Sequence, residues 1–318
     1  YKTLSKNNQI SIQVLYPERG FILDRTGKII ASNTKVFDLY IIPERTSNVK
    51  KTLDNISKYI HLDSLKRREI INLTKKVKKF ERIKIVENIN WKTLELLEAN
   101  KNYIEGLDLI QNFQRFYPEK EVFSHLLGYV NKPSKKDLKL PYISKMPKLN
   151  IGQQGIEKSF NKKLVGIPGN KEVEINSSGR VVREISKISS IKGSDINLSI
   201  DTRLQQFLMN KLSDHKAGSV VVLDVDSGEV LGMVSLPNFD SNLIIKKPNQ
   251  DYWDSLLNNP LSPLTDRSIQ GLYAPGSTFK MIVAIAAIKF GIINPDNKVF
   301  CEGKLEYGDR FFHCWKTK

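Results

Sequence analysis

The feature that most constrains this chain is an apolar, alanine-rich run that follows a proline–glycine break. The run extends from Met281 to Ile288 and comes directly after the hexapeptide PGSTFK at residues 275–280. Its composition predicts a helix, and Gly291 and Pro295 predict where that helix ends. Because a helix that is apolar on all sides has to be buried, we expect this segment to lie inside a larger domain.

Ser277 falls in the first turn of this predicted helix, and Lys280 lies three residues further along the same face. The start of a helix offers unpaired backbone N–H groups at the positive end of its dipole. Burial lowers the pKa of an amine, and a neutral amine can accept the proton of a serine hydroxyl that attacks an acyl carbon. The N–H groups can then stabilise the oxyanion. The pattern therefore indicates a serine nucleophile with a lysine base.

Spacing alone leaves another interpretation open, because S-x-x-K occurs by chance in many proteins. In that interpretation Ser277 caps the helix and Lys280 is a surface lysine. The apolar character of the helix argues against it, since a lysine at the start of such a helix needs a partner. A phosphate-binding loop is excluded, because G-x-x-x-x-G-K-[ST] does not fit these residues.

Composition places the chain among globular proteins. Its 318 residues are 40% hydrophobic and 26% charged, which excludes wholesale disorder and leaves room for two ordinary domains. Two cysteines and four scattered histidines make a metal enzyme an unfavoured interpretation. No apolar run reaches the ~20 residues needed to span a bilayer, and no signal-like stretch follows Tyr1.

Charge is the strongest compositional bias. Fifty Lys and Arg against 34 Asp and Glu give a net charge of +16 and a pI near 9.6. The basic residues are spread along the chain and do not form one stripe with interleaved aromatics, which argues against a nucleic-acid partner. Two interpretations stay open: a solvated lysine-rich surface, or attraction to an acidic membrane or an anionic substrate.

The first hundred residues combine strands with helices. Residues Tyr16–Glu44 are β-rich around Arg25-Thr26-Gly27, which predicts a hairpin. Residues Val49–Asn100 carry apolar stripes at helical spacing and are predicted to be helical throughout. A basic cluster lies between the stripes, and we interpret it as a solvated face, with a membrane-facing patch as the alternative. The cluster consists of Lys75, Lys76, Lys78, Lys79, Arg82 and Lys84.

The next segments lead toward a second domain. Residues 131–150 contain three prolines, six lysines and no periodicity, which predicts an exposed loop or linker. Two strands are then predicted, at Lys171–Ile175 and at residues 180–185.

The character of the chain changes after Gly193. A short strand is predicted at Asn197–Ile200, and Thr202 with Gln205 predicts a capping box at the start of a helix. Residues 218–236 predict a second hairpin; its acidic turn resembles a calcium loop only superficially, because the glycine falls one place early. A helix followed by an antiparallel hairpin indicates an α+β domain.

Several short segments, which follow one another along the chain, together indicate a family. They are Arg19–Gly27, Gly155–Leu164, Gly166, Gly169, residues 174–180, Asp201–Gln205, Leu223–Gly228, Leu256–Pro260 and Pro263-Leu264. Together with the Ser277/Lys280 segment they resemble the class B penicillin-binding proteins, the monofunctional D,D-transpeptidases of bacterial cell-wall synthesis, and among them the elongation type. Two departures are Thr26, where the family usually has Asn, and Asp266-Arg267-Ser268, where it has Asn-Arg-Ala.

The resemblance implies an α+β fold class. Residues 1–190 would form a β-rich N-terminal pedestal, or dimerisation-like domain, with a helical insertion. Residues 191–318 would form the start of a penicillin-binding, serine-acylase α/β sandwich domain. The family's S-x-N and K-[ST]-G motifs have no counterpart after Lys280, and Lys316-Thr317-Lys318 lacks the glycine and comes too early. We therefore expect the transpeptidase domain to be truncated in this chain.

The resemblance also implies a reaction. Ser277 would attack the D-Ala-D-Ala carbonyl of a peptidoglycan stem peptide, Lys280 would accept its proton, and an amino group of a neighbouring stem would resolve the acyl-enzyme. β-Lactams would acylate the same serine. No metal and no organic cofactor are implied.

Location and partners follow from the same resemblance. A single membrane helix is expected before Tyr1, with both domains on the periplasmic face of the inner membrane. A SEDS-type elongation glycosyltransferase and an MreC-like scaffold are the expected protein partners. Two alternatives stay open: a non-catalytic pedestal fragment that only docks the glycosyltransferase, and a septal class B transpeptidase.

Cys301 and Cys314 flank a predicted hairpin turn at Tyr307-Gly308-Asp309. A hairpin would bring the two thiols toward the Cα separation of about 4.4–6.8 Å that a disulfide needs. Two free cysteines are an equally open alternative, because adjacent strands often pair at a neighbouring register.

Overall fold

The computed structural model describes residues 10–146, 149–175, 181–245 and 250–315. The chain forms two compact units, residues 1–270 and residues 271–318. Strands and helices are interspersed in the first unit, which confirms the α+β prediction.

The strands of the first unit are β1 (Ile10–Leu15), β2 (Ile22–Leu23), β3 (Ile29–Ile41), β4 (Ile83–Ile89), β5 (Leu107–Phe116), β6 (Val130–Asn131), β7 (Ile151–Gly152), β8 (Gly169–Ile175), β9 (Val181–Ile188), β10 (Ile196–Asn197), β11 (Gly218–Leu223) and β12 (Val230–Leu236). Its helices are α1 (Val49–Ser57), α2 (Ser64–Lys76), α3 (Trp91–Ala99), α4 (Ser124–Leu127), α5 (Pro141–Ser144), α6 (Gly155–Ser159), α7 (Asn161–Val165), α8 (Thr202–Leu212), α9 (Ser241–Ile245), α10 (Gln250–Leu257) and α11 (Arg267–Gln270).

The long strand β3 is central to its sheet in the first unit, because β2, β4 and β5 all pair with it. It pairs antiparallel with β2 through the predicted hairpin, whose Gly27 has φ +85°, a conformation that glycine adopts without strain. It also pairs antiparallel with β5, from Ser32 opposite Phe116 to Ile41 opposite Leu107. The hairpin prediction is confirmed, and β3 continues beyond it as one strand of 13 residues.

The prediction of helix throughout Val49–Asn100 is wrong, because β4 lies between α2 and α3 and pairs with β3. Side chains along β4 alternate between its two faces. Ile83 and Ile85 point to one face and are buried, whereas Lys84 points to the other face and is exposed. They pack in a core formed by β3, β4 and the surrounding helices. This alternation covers only a few residues, and apolar residues at helical spacing lie on both sides of it, so the sequence favours a helix there.

The prediction of an exposed loop over residues 131–150 is also wrong in part. Helix α5 begins at Pro141, a residue whose fixed φ suits the first helical position. Ile143 and Met146 are buried, so this segment contributes to the packed structure. Residues 147 and 148 lie outside the described residues.

A second sheet has the strand order β1–β8–β9. Strand β8 pairs antiparallel with both neighbours, which confirms the two strands predicted near residues 171–185. The turn between them, at residues 176–180, lies outside the described residues.

A buried ion-pair network joins Arg19–Gly27 to Gly155–Leu164, two of the segments on which the family resemblance rests. Glu157 is fully buried and accepts hydrogen bonds from Arg19 Nε at 2.7 Å and Arg115 Nε at 2.6 Å. The Tyr117 hydroxyl donates to the same carboxylate at 3.2 Å. Burial alone would raise the pKa of Glu157, but the two guanidinium charges outweigh it and lower the pKa.

The start of α8 differs from the predicted capping box. Asp201 is the N-cap, and its carboxylate accepts from the backbone N–H groups of Arg203 and Leu204. The side chains of Thr202 and Gln205 are buried and turn to other segments. The Gln205 amide bonds both backbone groups of Met233 on β12, since a buried carboxamide needs partners for its donor and its acceptor.

The predicted second hairpin is confirmed as β11 and β12. In its turn Asp224 accepts hydrogen bonds from the backbone N–H groups of Asp226 and Ser227. The carboxylate therefore shapes the turn.

Across the described ranges, histidine, cysteine and acidic side chains form no group arranged to hold a metal ion.

The segment after α10 is fixed to the preceding part of the first unit. His125 Nε2 lies 2.7 Å from the Pro263 carbonyl, and Gln154 Nε2 donates to the Leu264 carbonyl at 3.4 Å. Burial lowers the pKa of His125 despite the carbonyl, which favours a neutral ring with its proton on Nε2. The Pro263-Leu264 segment is thus held by two side chains distant in sequence.

Candidate active site

The second unit contains a 3₁₀ turn at Gly276–Thr278, helix α12 (Phe279–Lys289) and a hairpin of β13 (Lys304–Tyr307) and β14 (Arg310–His313). Helix α12 ends where the sequence predicts, just before Gly291, which has φ +67°. The hairpin turn predicted at Tyr307–Asp309 is confirmed, with Tyr307 opposite Arg310.

Ser277 lies in the middle of the 3₁₀ turn, and therefore just before α12 and not in its first turn. The turn opens at Gly276, whose φ of +54° favours glycine. It is closed by Thr278, which donates to the Pro275 carbonyl from its backbone N–H at 3.3 Å and from its hydroxyl. The local sequence thus fixes the backbone of Ser277 through its two neighbours.

Lys280 is the second residue of α12, one turn beyond Ser277. Both side chains are exposed in this structure. Among the described contacts no hydrogen bond joins Ser277 Oγ to Lys280 Nζ. The two residues occupy adjacent turns at the spacing that lets a lysine amine approach a serine hydroxyl.

The predicted burial of the helix is wrong for this chain. The apolar side chains of α12 are largely exposed; Met281 and Ile285 are 66% and 65% accessible. Covering an all-apolar helix takes packed layers around it. Within residues 271–315 the only other regular elements are a 3₁₀ turn and a two-stranded hairpin.

The two cysteines are free thiols in the structure. Lys304 lies opposite His313 in the hairpin, and the Cys314 backbone N–H donates to the Gly303 carbonyl at 2.8 Å. Cys314 is therefore placed beside Gly303, two residues away from Cys301 in the paired register.

Over the part of the chain that the structure describes, every helix is too short or too polar to cross a bilayer.

Two family models match the chain. Residues 14–198 match the penicillin-binding protein dimerisation domain. Residues 218–318, which contain Ser277 and Lys280, match the penicillin-binding protein transpeptidase domain.

Curated relatives align with nearly the whole chain. The peptidoglycan D,D-transpeptidase MrdA of Haemophilus influenzae is 35% identical over 99% of this chain and 50% of its own length. The MrdA of Escherichia coli K12 is 32% identical over 99% of this chain and 51% of its own length. The chain therefore spans about half the length of the curated relatives it matches.

Solved structures show the same likeness. Penicillin-binding protein PBP2 from Helicobacter pylori, in its complex with MreC, superimposes with a TM-score of 0.81 at 27% sequence identity. The match covers 97% of this chain and 58% of that one. A second structure of PBP2 from H. pylori gives a TM-score of 0.71.

Proposed function

The chain belongs to the penicillin-binding proteins, and we propose that it carries the pedestal and the start of the catalytic domain of a peptidoglycan D,D-transpeptidase that acts in cell elongation. The relatives that support this are named as D,D-transpeptidases and align with almost all of the chain. The elongation type is favoured over a septal enzyme by the PBP2 likeness.

Ser277 is the nucleophile in this proposal and Lys280 its base. The observation that carries it is an S-x-x-K at the junction of a 3₁₀ turn and a helix, inside the part matched by the transpeptidase model. In a complete transpeptidase domain that covers Lys280, the Ser277 hydroxyl proton passes to the uncharged Lys280 amine as Oγ bonds to the penultimate D-Ala carbonyl carbon. The peptide C–N bond breaks, terminal D-Ala leaves with the proton, and an ester remains on Ser277. An amino group of a second stem then attacks the ester carbon and loses a proton to Lys280, which returns it to the Ser277 oxygen as the ester C–O bond breaks and the cross-link is completed.

The pedestal is proposed as a docking part for an MreC-like scaffold. Support comes from H. pylori PBP2, which was solved as a complex with MreC and superimposes on 97% of this chain. A SEDS-type glycosyltransferase and the periplasmic face of the inner membrane complete the proposed setting.

Fluorescent penicillin tests the enzyme proposal on a form of the protein that carries a complete transpeptidase domain. Ser277→Ala removes the nucleophile and abolishes covalent labelling. Ser268→Ala is the matched control and labels normally. Ser268 lies on a separate short helix, its hydroxyl donates to Asp266, and it stands where the family has alanine. Labelling that survives Ser277→Ala contradicts the assignment.

A further inference from the structure

A groove runs between helix α2 and strand β4, far in sequence from the proposed catalytic serine. It has a volume of about 540 Å³. One wall is formed by Lys66, Glu69 and Leu73 of α2 and by Val77, which follows the helix. The other wall consists of every residue from Arg82 to Glu87. Because consecutive strand residues line it, the groove follows the edge of β4 and not one of its faces.

Strand β4 is an edge of its sheet. Among the described residues β3 is the only strand that pairs with it, and the sheet order ends at β4. In a strand, alternate residues direct their N–H and C=O groups to opposite sides. The pairing of β3 with β4 has register shifts on both sides of Leu39, so this alternation is not regular along the whole strand. The β4 backbone groups that β3 does not bond point away from β3, and such an edge is a template for another strand.

The facing wall suits an extended occupant. Lys66, Glu69 and Leu73 have the spacing i, i+3, i+7, so they form one stripe along α2, and all three line the groove. An edge strand and a helix that bracket a groove are the arrangement in which an extended peptide adds to a sheet. Half-buried Leu73, Val77 and Val86 are available to contact every second side chain of such a peptide.

The charge around the groove selects an acidic occupant. Residues 74–82 contain five basic residues and one acidic residue. Lys66, Arg82 and Lys84 are paired with carboxylates of this chain. Four exposed lysines show no ion pair in the described part of the chain: Lys75, Lys76, Lys78 and Lys79. Their charge is left for a partner.

We propose that this groove binds an extended acidic segment of a partner protein, which adds to the sheet as a strand beside β4. The concave shape and the free strand edge favour a peptide over a membrane, because lipid headgroups offer no regular array of donors and acceptors to an edge strand. The inference does not depend on the chemistry of Ser277.

The test measures binding of a fluorescent peptide of alternating glutamate and valine, about as long as β4, to the full chain. Fluorescence anisotropy gives the affinity, and hydrogen exchange reports protection. We expect salt-sensitive binding and slower amide exchange across Ile83–Glu87. Lys76→Glu/Lys79→Glu is expected to weaken binding about tenfold. Lys50→Glu/Lys162→Glu, with the same net charge change at other exposed sites, is expected to leave it within about twofold.

Two N-methylated peptides separate strand addition from simple charge attraction. One is methylated at odd positions and the other at even positions. Strand addition requires the N–H groups of only one set, so one peptide binds and the other does not. Equal binding of both overturns the proposal, as does unchanged exchange at β4. Binding of the chain to phosphatidylglycerol vesicles but not to the acidic peptide also overturns it and identifies the patch as a membrane contact.

Discussion

Asp24 and Thr202 are 178 residues apart in sequence, and the Thr202 hydroxyl donates to Asp24 Oδ2 at 2.6 Å. The other oxygen of Asp24 accepts from the backbone N–H groups of Thr26 and Lys28 in the β2–β3 turn. One buried carboxylate therefore closes the first hairpin and holds the start of α8. It joins Arg19–Gly27 and Asp201–Gln205, two of the segments on which the family resemblance rests.

Asp24→Asn is expected to lower the free energy of unfolding by about 2 kcal/mol, because an amide group replaces one acceptor oxygen and faces a donor. Urea denaturation followed by circular dichroism measures the change. Asp226→Asn, in the exposed β11–β12 turn, is the matched control and is expected to be nearly neutral. Equal effects of the two variants would show that the Asp24 contacts contribute little.

The pH dependence of stability tests the same carboxylate. Burial alone would raise the pKa of Asp24, but the hydrogen bonds from Thr202, Thr26 and Lys28 lower it from 3.8 to about 2. A lowered folded-state pKa gives a stabilisation that is present above about pH 4 and is lost as the pH falls toward about 2. The difference in unfolding free energy between the unmodified protein and Asp24→Asn should therefore shrink over that interval. A difference that stays constant there contradicts the lowered pKa.

The network around Glu157 gives a larger expected effect. Glu157→Gln leaves Arg19 and Arg115 buried without a counter-charge, which is expected to cost about 3–5 kcal/mol. The control is Glu98→Gln, which breaks the exposed pair with Lys101 and is expected to cost less than about 1 kcal/mol. Chemical denaturation of both variants compares them. Similar small losses would mean that the network is not an important source of stability.

The hairpin register predicts that Cys301 and Cys314 remain reduced. Thiol counting on the denatured, unreduced protein is expected to give two free thiols per chain. A count near zero in monomeric protein would place the two cysteines in a disulfide and contradict the register.

Local signals in the sequence predicted the parts of the fold that depend on neighbours in the chain. The β2–β3 and β11–β12 hairpins were predicted from turn residues, and Gly27 has the positive φ that such a turn requires. The end of α12 before Gly291 was predicted in the same way.

Long-range contacts account for the failures. Ile83 and Ile85 form a strand because β3, about forty residues earlier, provides its partner and its core. Thr202 has the spacing of a capping residue, but its hydroxyl donates to the Asp24 carboxylate in the first hairpin. Sequence reasoning gave no role to Arg115, since a lone arginine within a strand carries no signal that it faces a buried glutamate.

The role of Lys280 is tested by substitution with arginine in a form that carries a complete transpeptidase domain. A guanidinium keeps the positive charge but cannot accept a proton, so Lys280→Arg is expected to slow penicillin acylation by about 10²–10⁴-fold. Lys289→Arg, at the exposed far end of the same helix, is the matched control and is expected to acylate at the unmodified rate. Rapid acylation of Lys280→Arg would show that Lys280 acts through its charge and not as a base.

The most direct test of the proposed function is mass spectrometry of that same form after reaction with benzylpenicillin and proteolysis. The proposed function predicts one penicilloyl adduct, located on Ser277 and absent from the Ser277→Ala variant. An adduct on another residue, or an unmodified Ser277 in a protein that folds and binds penicillin, would contradict it.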